Sequence, residues 1–213
     1  MTKTMTDYAN DEEQLDALKS WWATNGQTVI ISGLVGISLV IGGNYYLNSR
    51  NETLQTASMY YQEQYANPAG DEASTAAAVS LVDEYANTPY ASLASLADAK
   101  QLVAAENLDE AAERLQWVID NTDQPAFQAQ AQLRLTRVLL AQEKHDEALK
   151  VVEAIETNSY SASKEELKGD IAVAKGDLDA ARNAYQGALT LVDPATPQHQ
   201  AIIQLKLDGL GSY

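Results

Sequence analysis

Residues 28–47 form a run of twenty residues without a charged side chain, Thr-Val-Ile-Ile-Ser-Gly-Leu-Val-Gly-Ile-Ser-Leu-Val-Ile-Gly-Gly-Asn-Tyr-Tyr-Leu. A helix of this length is about 30 Å long, which is the thickness of the hydrocarbon core of a bilayer. Trp21 and Trp22 precede the run and Tyr45 and Tyr46 close it, and such rings favour the membrane–water interface. The run therefore predicts one transmembrane helix, with a buried helix of a soluble core as the alternative.

The predicted span divides the chain into a short head, residues 1–27, and a polar domain, residues 48–213. The head is acidic and no small-x-small cleavage pattern follows the apolar run, so we expect an uncleaved anchor and not a signal peptide. Lys3 and Lys19 precede the span whereas Arg50 alone follows it closely, which favours a cytoplasmic head and a domain outside the cytoplasm. No Gly or Pro separates the span from the next predicted helix, so the two can be continuous.

Small residues recur at four-residue spacing within the span. They form two small-xxx-small pairs, Ser32 with Gly36 and Ser38 with Gly42. Such pairs let a second helix approach closely, so these four positions are candidates for a helix-packing face in the membrane. Small residues are also common in membrane helices that face only lipid, and the sequence leaves both interpretations open.

Acidic side chains dominate the polar domain. Residues 48–213 contain 12 Lys and Arg against 25 Asp and Glu, a net charge of −13. This charge repels phosphate backbones and anionic lipid heads, so nucleic-acid binding is not expected.

The residue types required for common catalytic and metal sites are missing or scattered. The chain has no Cys, which excludes disulfides and thiol chemistry, and its two His, His145 and His199, are too far apart to suggest a metal site. No Gly-rich phosphate loop, His-Glu-x-x-His or Gly-x-Ser-x-Gly motif occurs. The sequence therefore predicts no enzyme and no cofactor, and a hydrolase with a hidden site is the least favoured alternative.

The polar domain is predicted to be all-α. It is rich in Ala, Leu and Glu, it lacks long runs of alternating apolar residues, and its Pro residues fall between helical stretches. The predicted helices are 51–66, 72–87, 89–105, 108–121, 125–142, 145–156, 161–175, 178–193 and 197–208.

Three segments of this domain repeat one pattern of a polar turn, an acidic helix start and an alanine. The three alanines, Ala111, Ala148 and Ala181, are 37 and 33 residues apart. An alanine at a helix crossing lets two backbones come close, and paired helices with a period near 34 residues are typical of tetratricopeptide repeats. We therefore expect a single N-terminal transmembrane helix followed by a tetratricopeptide-like helical-repeat solenoid, with an irregular helical bundle as the alternative.

Stacked helix pairs curve into a solenoid whose first helices line the concave side. The candidate protein-binding residues, carried over by position from the repeat pattern, are Leu93, Leu96, Lys100, Val103, Leu133, Arg137, Leu140, Glu166, Asp170 and Val173. A groove of mixed apolar and charged residues suits an extended peptide or a partner helix. Each of these residues taken alone could also belong to the core or to a solvated surface.

The order of these features resembles one known family. A short acidic head with a Trp pair is followed by one glycine-rich span, by Asn-Leu-Asp-Glu-Ala-Ala-Glu-Arg-Leu at 107–115, and by a closing Lys-Gly-Asp-Leu-Asp-Ala-Ala-Arg-Asn-Ala-Tyr. Together they resemble the YfgM family, the ancillary subunit of the SecYEG translocon in Gram-negative bacteria, over essentially the whole chain. The resemblance implies a single-pass protein of the bacterial inner membrane with a cytoplasmic head and a periplasmic domain.

The resemblance also implies partners. These are the SecYEG translocon, a membrane-anchored periplasmic peptidyl-prolyl isomerase-like chaperone, and emerging secreted chains that are passed to periplasmic chaperones. A link to envelope stress control is attributed to the family, and no catalytic residue is implied. We therefore expect a non-enzymatic interaction module at the secretion site, with an envelope scaffold for cell-wall or division complexes as the alternative.

Overall fold

The computed structural model describes residues 5–66 and 71–211, with side chains from Glu13 onward. The chain divides into two compact units, Met1–Thr53 and Leu54–Tyr213. The described part is helical, with no strand and one short 3₁₀ turn at Asn158–Tyr160, which confirms the predicted all-α class. The helices are α1 (Met5–Ala66), α2 (Glu72–Asp83), α3 (Pro89–Ala104), α4 (Leu108–Asn121), α5 (Pro125–Ala141), α6 (His145–Glu153), α7 (Ser161–Ala174), α8 (Leu178–Leu191) and α9 (Pro197–Gly209).

In the first unit, α1 carries the uncharged run. The apolar side chains of the run lie on the surface of the helix, and Leu39 and Val40 are 72% and 73% exposed. By length and composition, α1 can cross a membrane. The alternative of a helix buried in a soluble core is wrong, because these side chains are not covered by other described residues. The predicted helix 51–66 also belongs to α1, so it is continuous with the span.

In the second unit, three helix pairs follow one another, α3 with α4, α5 with α6, and α7 with α8. The second helix of each pair contacts the first helix of the next pair, and α3, α5 and α7 contact one another in series. This stacking is that of a tetratricopeptide-like solenoid, as predicted. The end of α1, α2 and the start of α3 share a small core around Ala57 and Leu81, and α9 packs against α8.

The repeat alanines lie at the helix crossings where the sequence predicts them. Ala111, Ala148 and Ala181 are fully buried. Larger buried side chains follow four positions later, at Leu115, Val152 and Tyr185. Because a small side chain at a crossing allows the backbones to approach, the core of each repeat depends on these alanines.

Local chemistry sets several helix boundaries. The side chains of Thr88 and Asp177 accept hydrogen bonds from backbone N–H groups in the first turns of α3 and α8, as N-cap residues do. Pro89 occupies the first position of α3, where its missing N–H is not needed. The predicted helix 72–87 is shorter, ending at Asp83, because a turn closed by a hydrogen bond from the Thr88 N–H to the Tyr85 carbonyl precedes α3.

One turn geometry ends the first helix of each repeat. The second residue after the helix end has a left-handed backbone, with φ of 62° at Glu106, 60° at Glu143 and 80° at Gly176. In the first turn, the N–H groups of Asn107 and Glu106 donate to carbonyls of the preceding helix at 2.9 and 3.1 Å, and equivalent bonds form after α5 and α7. Glycine adopts this conformation without strain, so the two glutamates are strained where Gly176 is not.

Candidate protein-binding groove

The first helices of the first two repeats, α3 and α5, line a groove made of two cavities. The larger cavity, of about 600 Å³, lies between the end of α1, α3 and α5, and its walls include Tyr61 and Leu93. The smaller cavity, of about 370 Å³, is lined mainly by apolar side chains of α3, α4 and α5, among them Val103. Lys100 and Arg134 line both cavities, so the two are adjacent parts of one groove.

Two tyrosines, Tyr61 and Tyr65, line the larger cavity, and the ring of Tyr90 lies next to that of Tyr61. The ring centres of Tyr61 and Tyr65 are 4.8 Å apart, and those of Tyr61 and Tyr90 are 5.7 Å apart. Burial and the neighbouring Tyr65 hydroxyl raise the pKa of Tyr61 to about 12. The Tyr61 hydroxyl is therefore neutral at physiological pH, and this side of the cavity offers aromatic surface with a polar edge.

Five of the seven residues predicted for the groove in the first two repeats line the cavities. They are Leu93, Leu96, Lys100, Val103 and Arg137. Leu96 is only 3% exposed and belongs to the floor, whereas Val103 is 42% exposed. Lys100 and Arg137 are exposed at the rim. The structure thus brings apolar and cationic side chains together in the two cavities, and their role in protein binding stays a prediction.

The other two residues, Leu133 and Leu140, lie in or against the core. Leu133 is 5% exposed and belongs to the hydrophobic core that α3 to α7 share, and Leu140 packs half-buried against that core. The structure gives both a packing role, and the protein-binding role that the sequence suggests for them stays a prediction.

The residues predicted for the third repeat lie outside both cavities. Glu166 is 7% exposed, and the Lys206 Nζ of α9 lies 2.6 Å from its Oε1 and 2.8 and 2.7 Å from the two carboxylate oxygens of Asp170. His199 Nε2 lies 2.8 Å from Glu166 Oε2. Val173 is 40% exposed. Both carboxylates are therefore engaged by α9, and a partner-binding role for these three residues stays a prediction.

The charged cluster between α7 and α9 shifts the pKa values of three residues, Glu166, Lys206 and Tyr185. Burial acts to raise the pKa of Glu166, but hydrogen bonds from Lys206 and His199 outweigh burial and hold the pKa below its ordinary value. Burial acts to lower the pKa of Lys206, and hydrogen bonds to Asp170 and Glu166 raise it above its ordinary value. Burial and the hydrogen bond that the Tyr185 hydroxyl donates to Asp170 raise the pKa of Tyr185. The shifts favour the charged pair, which fastens α9 to the third repeat.

Sequence reasoning does not identify Arg134, although this residue lines both cavities. Its Nη1 donates a hydrogen bond to the backbone carbonyl of Leu96 at 3.0 Å, which holds the guanidinium against α3. The repeat pattern aligns Arg134 with Ala97, a small neutral residue without an assigned role. The sequence does contain one sign of its role. Arg134 and Arg137 lie three positions apart on one helix face, which is unusual in a chain with so few basic residues.

The small residues of the span lie on the surface of α1. A β-carbon added to Gly36 or Gly42 would meet no atom within 4 Å, and Ser32 and Ser38 are exposed. All four positions are thus open to a neighbouring helix or to lipid, and the helix-packing role stays a prediction.

The donor sets of the described side chains do not suggest metal chemistry. Within residues 13–66 and 71–211, no group of three His, Cys, Asp or Glu side chains could hold a metal ion. The groove offers apolar and aromatic surface beside cationic side chains, which suits recognition of a protein segment.

Comparison with known proteins places this geometry in context. Residues 19–212 match the family described as tetratricopeptide repeat-like domain. The chain is similar to the ancillary SecYEG translocon subunit of Escherichia coli K12, with 31% identity over 95% of this chain and 98% of the relative. It is similar to the proteins of the same name from Haemophilus influenzae, with 28% identity over 94% and 97%, and from Neisseria gonorrhoeae, with 27% identity over 97% and 100%. No solved structure matches the chain.

Proposed function

Since this chain belongs to the family of ancillary SecYEG translocon subunits, we propose that it is a non-enzymatic binding module anchored in the membrane beside that translocon. The observation that carries the proposal is the extent of the similarity, which covers the apolar part of α1 and the repeats together. An anchor confines a binding domain to the membrane surface, which raises its effective concentration for partners held there.

The proposed orientation has residues 1–27 in the cytoplasm, residues 28–47 in the inner membrane and residues 48–213 in the periplasm. It is supported by the excess of Lys before the span and by the length and composition of α1. Reporter fusions at the C-terminus test it. Alkaline phosphatase should be active there and a cytoplasm-dependent fluorescent protein should be dark, and the reverse result would remove the secretion role.

The proposed partners are the SecYEG translocon, a membrane-anchored periplasmic peptidyl-prolyl isomerase-like chaperone and emerging secreted chains. The groove on α3 and α5 would bind them, pass new chains to periplasmic chaperones, and in this way link the protein to envelope stress control. Support comes from the apolar and cationic cavities, which suit a protein segment.

Site-specific photocrosslinking in cells tests the use of the groove. A crosslinker at Lys100, Val103 or Arg137, which are exposed on the groove, should capture translocon components, the chaperone or nascent chains. The control position is Gln186 on the exposed face of α8. Capture from Gln186 alone would place the binding surface elsewhere, and recovery of cell-wall synthases in place of translocon components would favour an envelope scaffold.

The small residues of the span are proposed to pack against a partner helix in the membrane. Changing Ser32, Gly36, Ser38 and Gly42 to Leu keeps the span apolar, and a β-carbon at either glycine has no side chain within 4 Å. The variant should be recovered with less translocon in mild detergent. Ile37→Ala and Ile41→Ala, on the opposite helix face, are the control. Equal recovery of all variants would mean that the small residues face only lipid.

A further inference from the structure

Charged residues recur at one position along the first helices of the repeats. Lys100, Arg137 and Asp170 are 37 and 33 residues apart, which is the spacing of the repeat alanines, and α9 adds Lys206 beyond them. Where α7 meets α9, the negative charge of this series is compensated within the chain. Lys206 pairs with Asp170 at 2.7 Å and with Glu166 at 2.6 Å.

The positive charges on α3 and α5, at the other end of the series, are not compensated in this way. Lys100, Arg134 and Arg137 line the smaller cavity together, and none of the described residues in its walls is Asp or Glu. The larger cavity shares Lys100 and Arg134, and the residues described in its walls include no acidic one. None of the three cations forms an ion pair with a described residue, whereas Arg114 pairs with Asp98 at 2.9 Å and Lys175 with Asp146 at 2.8 Å. A chain with 30 acidic and 14 basic residues thus concentrates in one groove three cations that form no ion pair within the described part of the chain.

The surroundings of the cations add an apolar component to the groove. Val103, Leu108 and Val138 line the smaller cavity beside them. Arg134 is held in place by its bond to the Leu96 carbonyl, so part of the charge is pre-organised and costs little entropy on binding. Arg134 and Arg137 are one helical turn apart, with β-carbons about 5 to 6 Å from each other, and Lys100 faces the same cavity from α3.

We propose that this groove binds an acidic segment of a partner protein, with at least two Asp or Glu carboxylates beside a large apolar side chain. The carboxylates pair with Lys100 and Arg137 at the rim, and the apolar side chain enters the cavity of about 370 Å³. This inference rests on the proposed function and names the chemistry of the partner. Nucleic acid and anionic lipid also carry negative charge, but a domain of net charge −13 repels such extended polyanions, and their phosphates offer no side chain to the apolar floor.

Binding of synthetic peptides to the full chain in nanodiscs of zwitterionic lipid tests the inference. The probe is a fluorescent peptide, Gly-Glu-Asp-Leu-Phe-Glu-Asp-Gly, and its partner carries Gln and Asn in place of Glu and Asp. The acidic peptide should bind, and its affinity should fall as NaCl rises from about 0.05 to about 0.3 M. The amide peptide should bind at least about tenfold more weakly. Equal binding of both peptides, or binding of neither, would overturn the inference.

Charge-removing variants locate the site. Lys100→Gln and Arg137→Gln should each weaken the acidic peptide by about fivefold. Both residues are exposed, so circular dichroism should show an unchanged fold. Lys150→Gln, on the exposed surface of α6 outside both cavities, removes the same charge and should leave affinity within about twofold. An equal loss in all three variants would mean that net charge, and not the groove, attracts the peptide.

Two further results separate this inference from the proposed function and from a lipid ligand. Photocrosslinks from Val103 to a partner that persist in Lys100→Gln and Arg137→Gln would leave the binding function standing and overturn the acidic chemistry. Displacement of the acidic peptide by vesicles of anionic lipid at equal charge would assign the groove to lipid headgroups and would also overturn it.

Discussion

The ring of Tyr185 lies against the α-carbon of Gly169, in the space that a β-carbon at residue 169 would occupy. This contact joins α7 to α8 in the third repeat. The equivalent positions hold Ala99 and Leu115 in the first repeat, and the second repeat has Thr136 at the position of the glycine. The smallest residue at this crossing thus stands beside the largest, so the total side-chain volume is balanced within the repeat.

Gly169→Ala should destabilise the domain by about 1 to 3 kcal/mol, because the new methyl group overlaps the ring atoms of Tyr185 in a buried crossing. Urea unfolding of the full chain in detergent, followed by circular dichroism, measures the loss. Gly187→Ala is the matched control, since a β-carbon there has its nearest neighbour 3.9 Å away and Ala favours a helix by about 1 kcal/mol over Gly.

The same crossing allows a rescue. Gly169→Ala combined with Tyr185→Leu reproduces the Ala99 and Leu115 pair of the first repeat and should be more stable than Gly169→Ala alone. Additive losses in the double variant would show that residues 169 and 185 do not share the crossing.

Lys206→Met should destabilise the domain by about 2 kcal/mol or more. The variant leaves the buried Glu166 carboxylate without its lysine, and breaking a buried ion pair from one side is costly. Lys175→Met removes a cation from an exposed pair with Asp146 and should cost about 0.5 kcal/mol or less. Similar losses in both variants, measured by thermal unfolding, would mean that the α9 cluster is no stronger than a surface pair.

Stability should fall in acid partly through Glu166. Its pKa is lowered in the folded state, where hydrogen bonds from Lys206 and His199 outweigh burial. A lowered pKa stabilises the fold above the unfolded value, near 4.5, and the contribution is lost as pH falls through the folded value. Glu166→Gln should therefore flatten the decline in unfolding free energy between about pH 5 and pH 3. The same change at exposed Glu113 is the control and should leave the slope as it is.

Substitutions in the left-handed turns should change the stability of the domain in opposite directions, depending on whether glycine is introduced or removed. Glu143→Gly should stabilise the domain by about 0.5 to 1 kcal/mol, because φ is 60° there and glycine adopts it without strain. Gly176→Ala, where φ is 80°, should destabilise by about 1 kcal/mol. Glu113→Gly, inside α4, should also destabilise by about 1 kcal/mol. A loss on Glu143→Gly would show that the Glu143 side chain matters more than its backbone.

The repeat architecture could be predicted because its determinants are local. Ala111, Ala148 and Ala181 recur with a measurable period, and each is buried at a crossing, as expected. The period also places Lys100 and Arg137 at one repeat position, and both line the same cavity, while their binding role stays a prediction.

The remaining features depend on distant residues. Lys206 lies 36 and 40 residues from Asp170 and Glu166, and α9 does not carry the repeat pattern that would align it with them. The bond that fixes Arg134 ends on a main-chain carbonyl, which no residue type signals. The sequence also cannot show which apolar residues of one helix face line the groove and which are buried in the core. Leu96 and Leu133 were both predicted for the groove, and both are buried.

The three turns that close the first helices share one backbone conformation, at Glu106, Glu143 and Gly176. The three positions are therefore structurally equivalent points of successive repeats. Spin labels at 106 and 143 would measure the distance between equivalent points of the first two repeats. A change in that distance when a partner binds would show that the two repeats move relative to each other. The turns are therefore suitable sites for measuring how far the solenoid bends.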